Sequence, residues 1–364
     1  MSGNSVMQPI LVVEDDRFLR VVQVVLDQNV DRDRVSAFAD FFAHDEPDFA
    51  GWCERLRRRA PNLYPAEVRL VDSQEALRAN LGDSHAVILE SLEFGADDIA
   101  AAPKLKAVQK YGVDLRRIDR AACAAHRVAV LTLRRRANIA CAEHALTLML
   151  MLSRRVNELQ GRISAASLAE LGYAYRPFDR RHTPNSNWGR IPGLGILYGA
   201  TVGIIGLGEI GREFASRAAA LGMRILYTQR HPAPAEIESR YQAVSRPMAQ
   251  LLAESDWVCV FVPSTPATRN LISRRELMQM KPGARLINIS RADIVERVAL
   301  IEALASGRLG GFALDPLYHS PGRDDDELLK FPRVILTPHI AAQPRFNALN
   351  DLEDMITGLA QALS

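Results

Sequence analysis

Short runs of aliphatic and β-branched residues recur along the chain, separated by stretches in which apolar positions return every three or four residues. The first half predicts strands at 10–13, 67–71, 86–90, 105–109 and 128–131, with helices at 18–26 and 74–81. Residues 30–61, rich in Asp, Arg and Phe, break the rhythm and read as a helical insertion. One long amphipathic helix is predicted over 143–159. A segment rich in Pro, Gly, Asn and Arg, 172–199, follows as a loop long enough to carry a task or link domains. A second series then predicts strands at 202–205, 224–227, 258–262, 285–289, 311–314 and 334–336, with helices at 209–221, 248–253, 274–278 and 298–306 between them. Strands alternating with helices imply parallel sheets with helical crossovers. The expected class is α/β, with two doubly wound, Rossmann-like parallel-sheet domains.

Composition narrows the class. A length of 364 residues exceeds one ordinary core, and 48% hydrophobic with 24% charged residues is the balance of a globular protein. A net charge of +2 is too even to predict a nucleic-acid or membrane-surface partner. Only five of the 45 basic residues are Lys; a GC-rich coding sequence accounts for that bias. The polar start, Met1–Gln8, lacks the basic and apolar segments of a secretory signal, and no apolar run approaches the roughly 20 residues of a spanning helix. Cys53, Cys123, Cys141 and Cys259 show no C-x-x-C spacing. They read as reduced, mostly buried thiols of a cytoplasmic protein.

The strand at 202–205 runs into Gly206-Leu-Gly208-Glu-Ile-Gly211, and a helix follows. In that context the three glycines serve a tight turn, a close approach to pyrophosphate and helix–strand packing. The next strand ends Tyr227-Thr228-Gln229-Arg230-His231, with no carboxylate to accept bonds from the ribose hydroxyls of NAD. Thr228 can still bond a hydroxyl, and Arg230 can neutralise a 2′-phosphate. The cofactor is therefore expected to be NADP or NAD, with NADP favoured.

Four further segments carry a resemblance: Lys110–Asp119, Ala142-Glu-His-Ala145, Leu286–Ala292 with Ala313-Leu-Asp315, and Leu336-Thr-Pro-His-Ile-Ala341. In order and spacing, with the Gly loop, they resemble the D-isomer-specific 2-hydroxyacid dehydrogenases, a family that includes phosphoglycerate dehydrogenases, hydroxypyruvate reductases and some transcriptional co-repressors. The resemblance implies a substrate domain from both chain ends (1–155 and 343–364), a dinucleotide domain (156–342) inserted between them, and a homodimer. It implies that Arg291 holds the substrate carboxylate and carbonyl, and that His339 is the acid/base. It places Glu209, Ile210, Val262, Pro263, Ile289, Ser290 and Asp315 around the cofactor, Asp315 on the nicotinamide carboxamide. Backbone near Val113 and Asp114 would bind the substrate carboxylate. Such chemistry suits these residue types: guanidinium grips a planar carboxylate with two hydrogen bonds, and imidazole titrates near neutrality. Hydride transfer needs no metal, and no metal-ligand spacing is visible.

The pattern also breaks. The family's Glu partner of the catalytic His falls on Ser320, beside His319. A hydroxyl can orient an imidazole but stabilises its cation less than a carboxylate does. Either the enzyme works with a less basic His339, or Asp324, Asp325, Asp326 or Glu327 substitutes, or the protein mainly binds. Asp114 and Ala292 stand where glycines are usual, which narrows the expected site. Arg134-Arg135-Arg136 reads equally as a solvated basic turn or as a grip on a second anionic group. Two rival readings remain. A receiver domain, suggested by Glu14-Asp-Asp16, lacks a strand-end phosphoacceptor Asp in the right place. A cofactor-binding regulatory protein with weak or no dehydrogenase activity would explain Ser320, but would not need Arg291, His339 and Asp315 together.

Overall fold

The computed structural model describes residues 8–364, so the predicted polar start at 1–7 lies outside the described residues. The chain divides into two compact units, 1–138 with 342–364, and 139–341.

The first unit is built on five parallel strands, β1 (Ile10–Glu14), β2 (Glu67–Val71), β3 (Ala86–Leu89), β4 (Ala107–Lys110) and β5 (Ala129–Leu131), in the order β2-β1-β3-β4-β5. This is a doubly wound order, with its switch point between β1 and β3. Successive residues of β1 face opposite sides: Leu11 and Val13 enter one core and Val12 the other. The insertion forms two helices. Between β1 and β2 run α1 (Arg20–Leu26), α2 (Arg32–Phe42) and α3 (Phe49–Arg59). Asp31 and Asp48 cap the last two by accepting amide hydrogens from Asp33 and Gly51. The phenylalanines that made this stretch unusual form an aromatic pile. Phe42 stacks on Phe38 and Phe49, Phe49 stacks on Trp52, and Phe18 and Phe41 meet Phe42 edge-on. The helix Phe346–Leu363 closes the same core with Leu352, Met355, Ile356 and Leu359.

The second unit holds seven parallel strands: β6 (Thr201–Ile205), β7 (Arg224–Thr228), β8 (Ala243–Ser245), β9 (Trp257–Val260), β10 (Arg285–Asn288), β11 (Gly311–Leu314) and β12 (Val334–Leu336). Their order, β12-β11-β10-β9-β6-β7-β8, switches direction between β6 and β9, where dinucleotide folds place their ligand. The short β8 escapes the pattern because it offers only three residues, of which Ala243 alone is buried.

The first boundary falls at Asn138, not 155, because the long helix begins earlier than its pattern suggests. It spans Arg136–Arg154, and Ala142, Ala145, Leu148, Met149 and Leu152 pack into the core of the second unit. It stops where Arg155 takes a φ of 54°, so the predicted 143–159 helix ends in a separate turn, Val156–Leu159. Arg136 opens the helix with its amide and guanidinium on the buried carboxylate of Asp351. That ion pair absorbs one arginine of the basic run, and Arg135 lies 4.1 Å over the Tyr111 ring. The loop 172–199 contains no helix or strand and stays in the second unit. All four cysteines are free.

Phe42 is fully buried at the centre of the aromatic pile. Phe42→Ala is expected to cost about 3–5 kcal/mol, read as a lower urea midpoint at unchanged slope.

Candidate active site

The phosphate loop follows from three local constraints. Gly206 has a φ of 98°, and a Cβ there would lie 2.9 Å from the Phe261 carbonyl oxygen. Gly211 lies so close under the turn that a Cβ would come within 2.2 Å of the Gly206 carbonyl oxygen. Around Gly208, by contrast, a Cβ would meet nothing within 4 Å. That opening sits at the start of the helix Glu209–Ala220, whose capping residue offers no side-chain acceptor. The site therefore fits a pyrophosphate: free space, peptide N–H groups and the positive end of a twelve-residue helix converge on it. Glu209 and Ile210 form its first turn, as expected.

At the end of β7, Thr228 accepts the Gly206 amide hydrogen through its carbonyl. Gln229, which sequence reasoning passed over, accepts the Leu207 amide hydrogen through its side chain and donates to the His231 carbonyl. The glutamine thus pins the Gly loop to the second strand. Arg230 is exposed and has no ion pair among the described residues. Val262 lies against Gly206, and Pro263 is exposed at the start of the following loop.

Arg291 follows β10. The fully buried Asn288 accepts the Ser290 amide hydrogen and donates to the Arg291 carbonyl, while Ser290 donates its hydroxyl to the Val260 carbonyl. The turn is thereby tied to β9 and β10, and Ile289 is buried within it. The guanidinium is exposed, with one bond to the Ser290 carbonyl. An exposed planar cation on a fixed turn has the chemistry to grip a carboxylate with two hydrogen bonds.

His339 follows β12 in a left-handed conformation, φ 58°. Its ring is exposed and makes no hydrogen bond among the described residues. What holds it there is Asp315. The Asp315 carbonyl accepts the His339 amide hydrogen, and its carboxylate accepts from the Thr337 hydroxyl at 2.6 Å and the amides of Ile340 and Ala341 at 2.8 and 2.9 Å. The His144 Nε2 lies 3.1 Å from the Thr337 hydroxyl and 3.5 Å from the same carboxylate. Burial raises the Asp315 pKa, but hydrogen bonds from His144, Thr337 and the two amides outweigh it and bring the group to about 2. Asp315 was expected on the nicotinamide carboxamide. It is wholly buried, and its carboxylate bonds to the turn that carries His339. The reason is geometric: β11 and β12 are neighbours, so a strand-end acid on one faces the amides that follow the other. His144 went unassigned, although the segment that holds it, Ala142-Glu-His-Ala145, was among those that carried the resemblance.

Ser320 is exposed, and no hydrogen bond joins it to His339. The proposed substitutes are elsewhere engaged in part. Asp325 pairs with Arg323, and Asp326 pairs with Arg297 and caps the turn at Leu328. In the first unit, Val113 is exposed, and the Asp114 carboxylate is neutralised by the Arg116 guanidinium at 2.8 Å. Glu14, at the end of β1, accepts the amide hydrogens of Glu90, Ser91 and Leu92 and the Ser91 hydroxyl. Burial opposes its charge, but those bonds hold its pKa below the usual value. It is a structural clamp on the loop after β3, as is Asp16, which caps the turn into α1 by accepting from Phe18. The acidic run that suggested a receiver domain is thus used internally. Among the described residues no cluster of metal-ligating side chains is present, and no helix is long and apolar enough to cross a membrane.

Comparison with known proteins agrees with this geometry. The profile of the D-isomer specific 2-hydroxyacid dehydrogenase NAD-binding domain matches residues 146–341. The chain is 35% identical over 296 residues to the glyoxylate reductase of Thermococcus gammatolerans, covering 81% of this chain and 83% of that protein. It is 32% identical over 310 residues to the D-3-phosphoglycerate dehydrogenase of Archaeoglobus fulgidus, covering 82% of this chain but 54% of that longer protein. Among solved structures, D-mandelate dehydrogenase from Rhodotorula graminis superposes with a TM-score of 0.55 at 25% identity, covering 97% of this chain and 93% of that one. Fold and phosphate loop define a nicotinamide-dinucleotide oxidoreductase. The chain belongs to the D-isomer specific 2-hydroxyacid dehydrogenase family.

Two variants separate the glycine roles. Gly208→Val fills open space, so Tm should stay unchanged while NADH and NADPH affinity falls by more than about tenfold, read by nucleotide fluorescence. Gly211→Ala must displace backbone, so both Tm and affinity should drop. The Asp315 contribution to stability is fully present above its unfolded pKa of about 3.9 and is lost as pH falls through about 2. Asp315→Asn should therefore flatten the acid limb of stability against pH between those values, measured by urea titration.

Proposed function

We propose that this protein reduces a 2-oxo acid, or oxidises the matching D-2-hydroxy acid, with Arg291 and His339 as its reacting groups. The observation that carries the reading is that both follow strands of one parallel sheet, β10 and β12, on turns tied down by buried polar residues, with their functional ends exposed. The bound nicotinamide would supply or accept the hydride. Gly206, Gly208, Glu209, Ile210 and Gly211 would hold its pyrophosphate, with Ile289 and Ser290 lining the site. The Arg291 guanidinium binds the substrate carboxylate and polarises the carbonyl. The His339 imidazole gives its proton to the developing alkoxide, or takes it from the hydroxyl in reverse. The amides at Val113 and Asp114 are assigned to a substrate carboxylate, and pairing with Arg116 offsets the Asp114 charge.

We favour NADP, because the exposed Arg230 follows β7 and no carboxylate stands at the strand's end to bond the ribose. A homodimer is inferred from the exposed apolar side chains Ile163, Ile196 and Tyr198, which a second copy would cover. Four free cysteines suit the reducing cytoplasm. The regulatory-protein alternative rests on Ser320 alone.

Three outcomes test this reading. Steady-state reduction of 2-oxo acids should be seen with both nucleotides, with NADPH preferred and the preference reversed by Arg230→Asp. Arg291→Ala and His339→Ala should each lower kcat/KM by about 10²–10⁴-fold without loss of Tm. Ser320→Glu should move the pH–rate profile toward alkaline pH; an unchanged profile would show that another acid already serves His339.

A further inference from the structure

The helical insertion leaves a cavity within the first unit. Arg17, Phe18, Ala37, Phe38 and Phe41 line a space of about 360 Å³, at the lower end of the range for small-molecule sites. The three rings are held by the core of the unit. Each packs on the buried Phe42, with centroids 6.2 Å away for Phe18, 6.3 Å for Phe38 and 5.0 Å for Phe41. Phe18 is also stacked on Tyr111 at 5.9 Å. Phe41 keeps 39% of its surface exposed, yet Arg345 holds it, lying 3.8 Å over the ring and donating to the Phe41 carbonyl.

One cation joins this apolar lining. Arg17 is exposed, and its guanidinium makes no hydrogen bond or ion pair among the described residues. The acids beside it in the chain are engaged: Asp15 pairs with Arg20 at 2.5 Å, and Asp16 accepts the amide hydrogens of Phe18 and Leu19. Among the described residues no carboxylate lines the cavity. Arg345, at the Phe41 ring, gives its guanidinium to a carbonyl and only its amide to Asp45, so a second positive charge borders the rings. A fixed apolar lining with an unpaired guanidinium favours an anion that carries its own apolar body.

We infer that this cavity is a binding site for a small apolar carboxylate, its aromatic or branched aliphatic body on the three rings and its carboxylate on Arg17. The site is built wholly from the first unit and stands independently of the dehydrogenase reading, of Arg291 and of His339. The planar guanidinium offers two parallel donors to the carboxylate. Burial of the body adds to this, because apolar surface leaves water on both partners. Acetate or inorganic phosphate meets the cation without covering the rings. An amide of the same shape covers the rings without answering the charge. Because the rings are already held, little ordering of the protein opposes binding.

The test titrates the full chain by calorimetry, as wild type and as Arg291→Ala, the latter so that the carboxylate grip proposed for Arg291 does not contribute. The probes are phenylacetate, 4-methylpentanoate, phenylacetamide, acetate and inorganic phosphate. In both proteins the two apolar carboxylates should bind one molecule per chain, at least about tenfold more tightly than the other three probes. In the Arg291→Ala background, Arg17→Gln should weaken phenylacetate binding by about tenfold or more at unchanged Tm. Ala37→Trp, which fills the cavity from an exposed helix position, should abolish binding. Ala37→Leu should weaken it less, and serves if the larger variant misfolds. Phenylacetate bound no more tightly than acetate, or bound equally well after Arg17→Gln and after both changes at Ala37, overturns the site. Binding present in the wild type but lost in Arg291→Ala would place the ligand elsewhere and overturn it too. A change in sedimentation on Ala37→Trp with binding unchanged would assign the surface to a second copy of the chain. None of these results bears on whether the protein reduces 2-oxo acids, which the activity measurements above decide.

Discussion

The buried carboxylate of Asp315 is the constraint on which the candidate chemistry depends. One side chain at the end of β11 receives a hydroxyl and two amides from the segment after β12, and its own carbonyl takes the amide of His339. A left-handed histidine is unfavourable for an L-residue, so something must hold it. Here the cost is offset by charge-assisted bonds in a dry setting, where each is stronger than in water. The imidazole is left exposed because its backbone, not its ring, is what the protein grips.

The same economy recurs at other strand ends. Asn288 closes the turn before Arg291, Gln229 ties the Gly loop to β7, and Glu14 gathers three amides after β3. Parallel sheets end with unpaired backbone groups at one edge, and a polar side chain there satisfies its neighbours while fixing a loop. Two of those loops carry the proposed reacting groups, Arg291 and His339.

Much of this was legible in the sequence. The alternation of strands and helices gave both sheets, and Gly206, Gly208 and Gly211 declared their roles through spacing and context. Arg291 and His339 stood out as candidates through the segments around them, and both follow strands as those segments suggested. What sequence could not show was partnership across the sheet. Nothing in Ala313-Leu-Asp315 says whether the acid faces a ligand or a neighbouring turn, and nothing marks His144 as its partner. The insertion was legible as helical but not as an aromatic pile, because Phe18, Phe38, Phe42 and Trp52 meet only through tertiary packing. The long helix was misplaced because Arg136 is anchored by Asp351, more than two hundred positions away.

The core of the first unit takes Leu352, Met355, Ile356 and Leu359 from a segment that leaves the ribosome after the whole second unit. Until that helix emerges, Leu11, Val25 and Leu56 expose apolar surface to water while the later sheet is still being synthesised. Biogenesis of such an interrupted domain is therefore ordered: the inserted unit can mature during translation, the divided one only near its close, and the waiting interval is when holdase chaperones have a substrate.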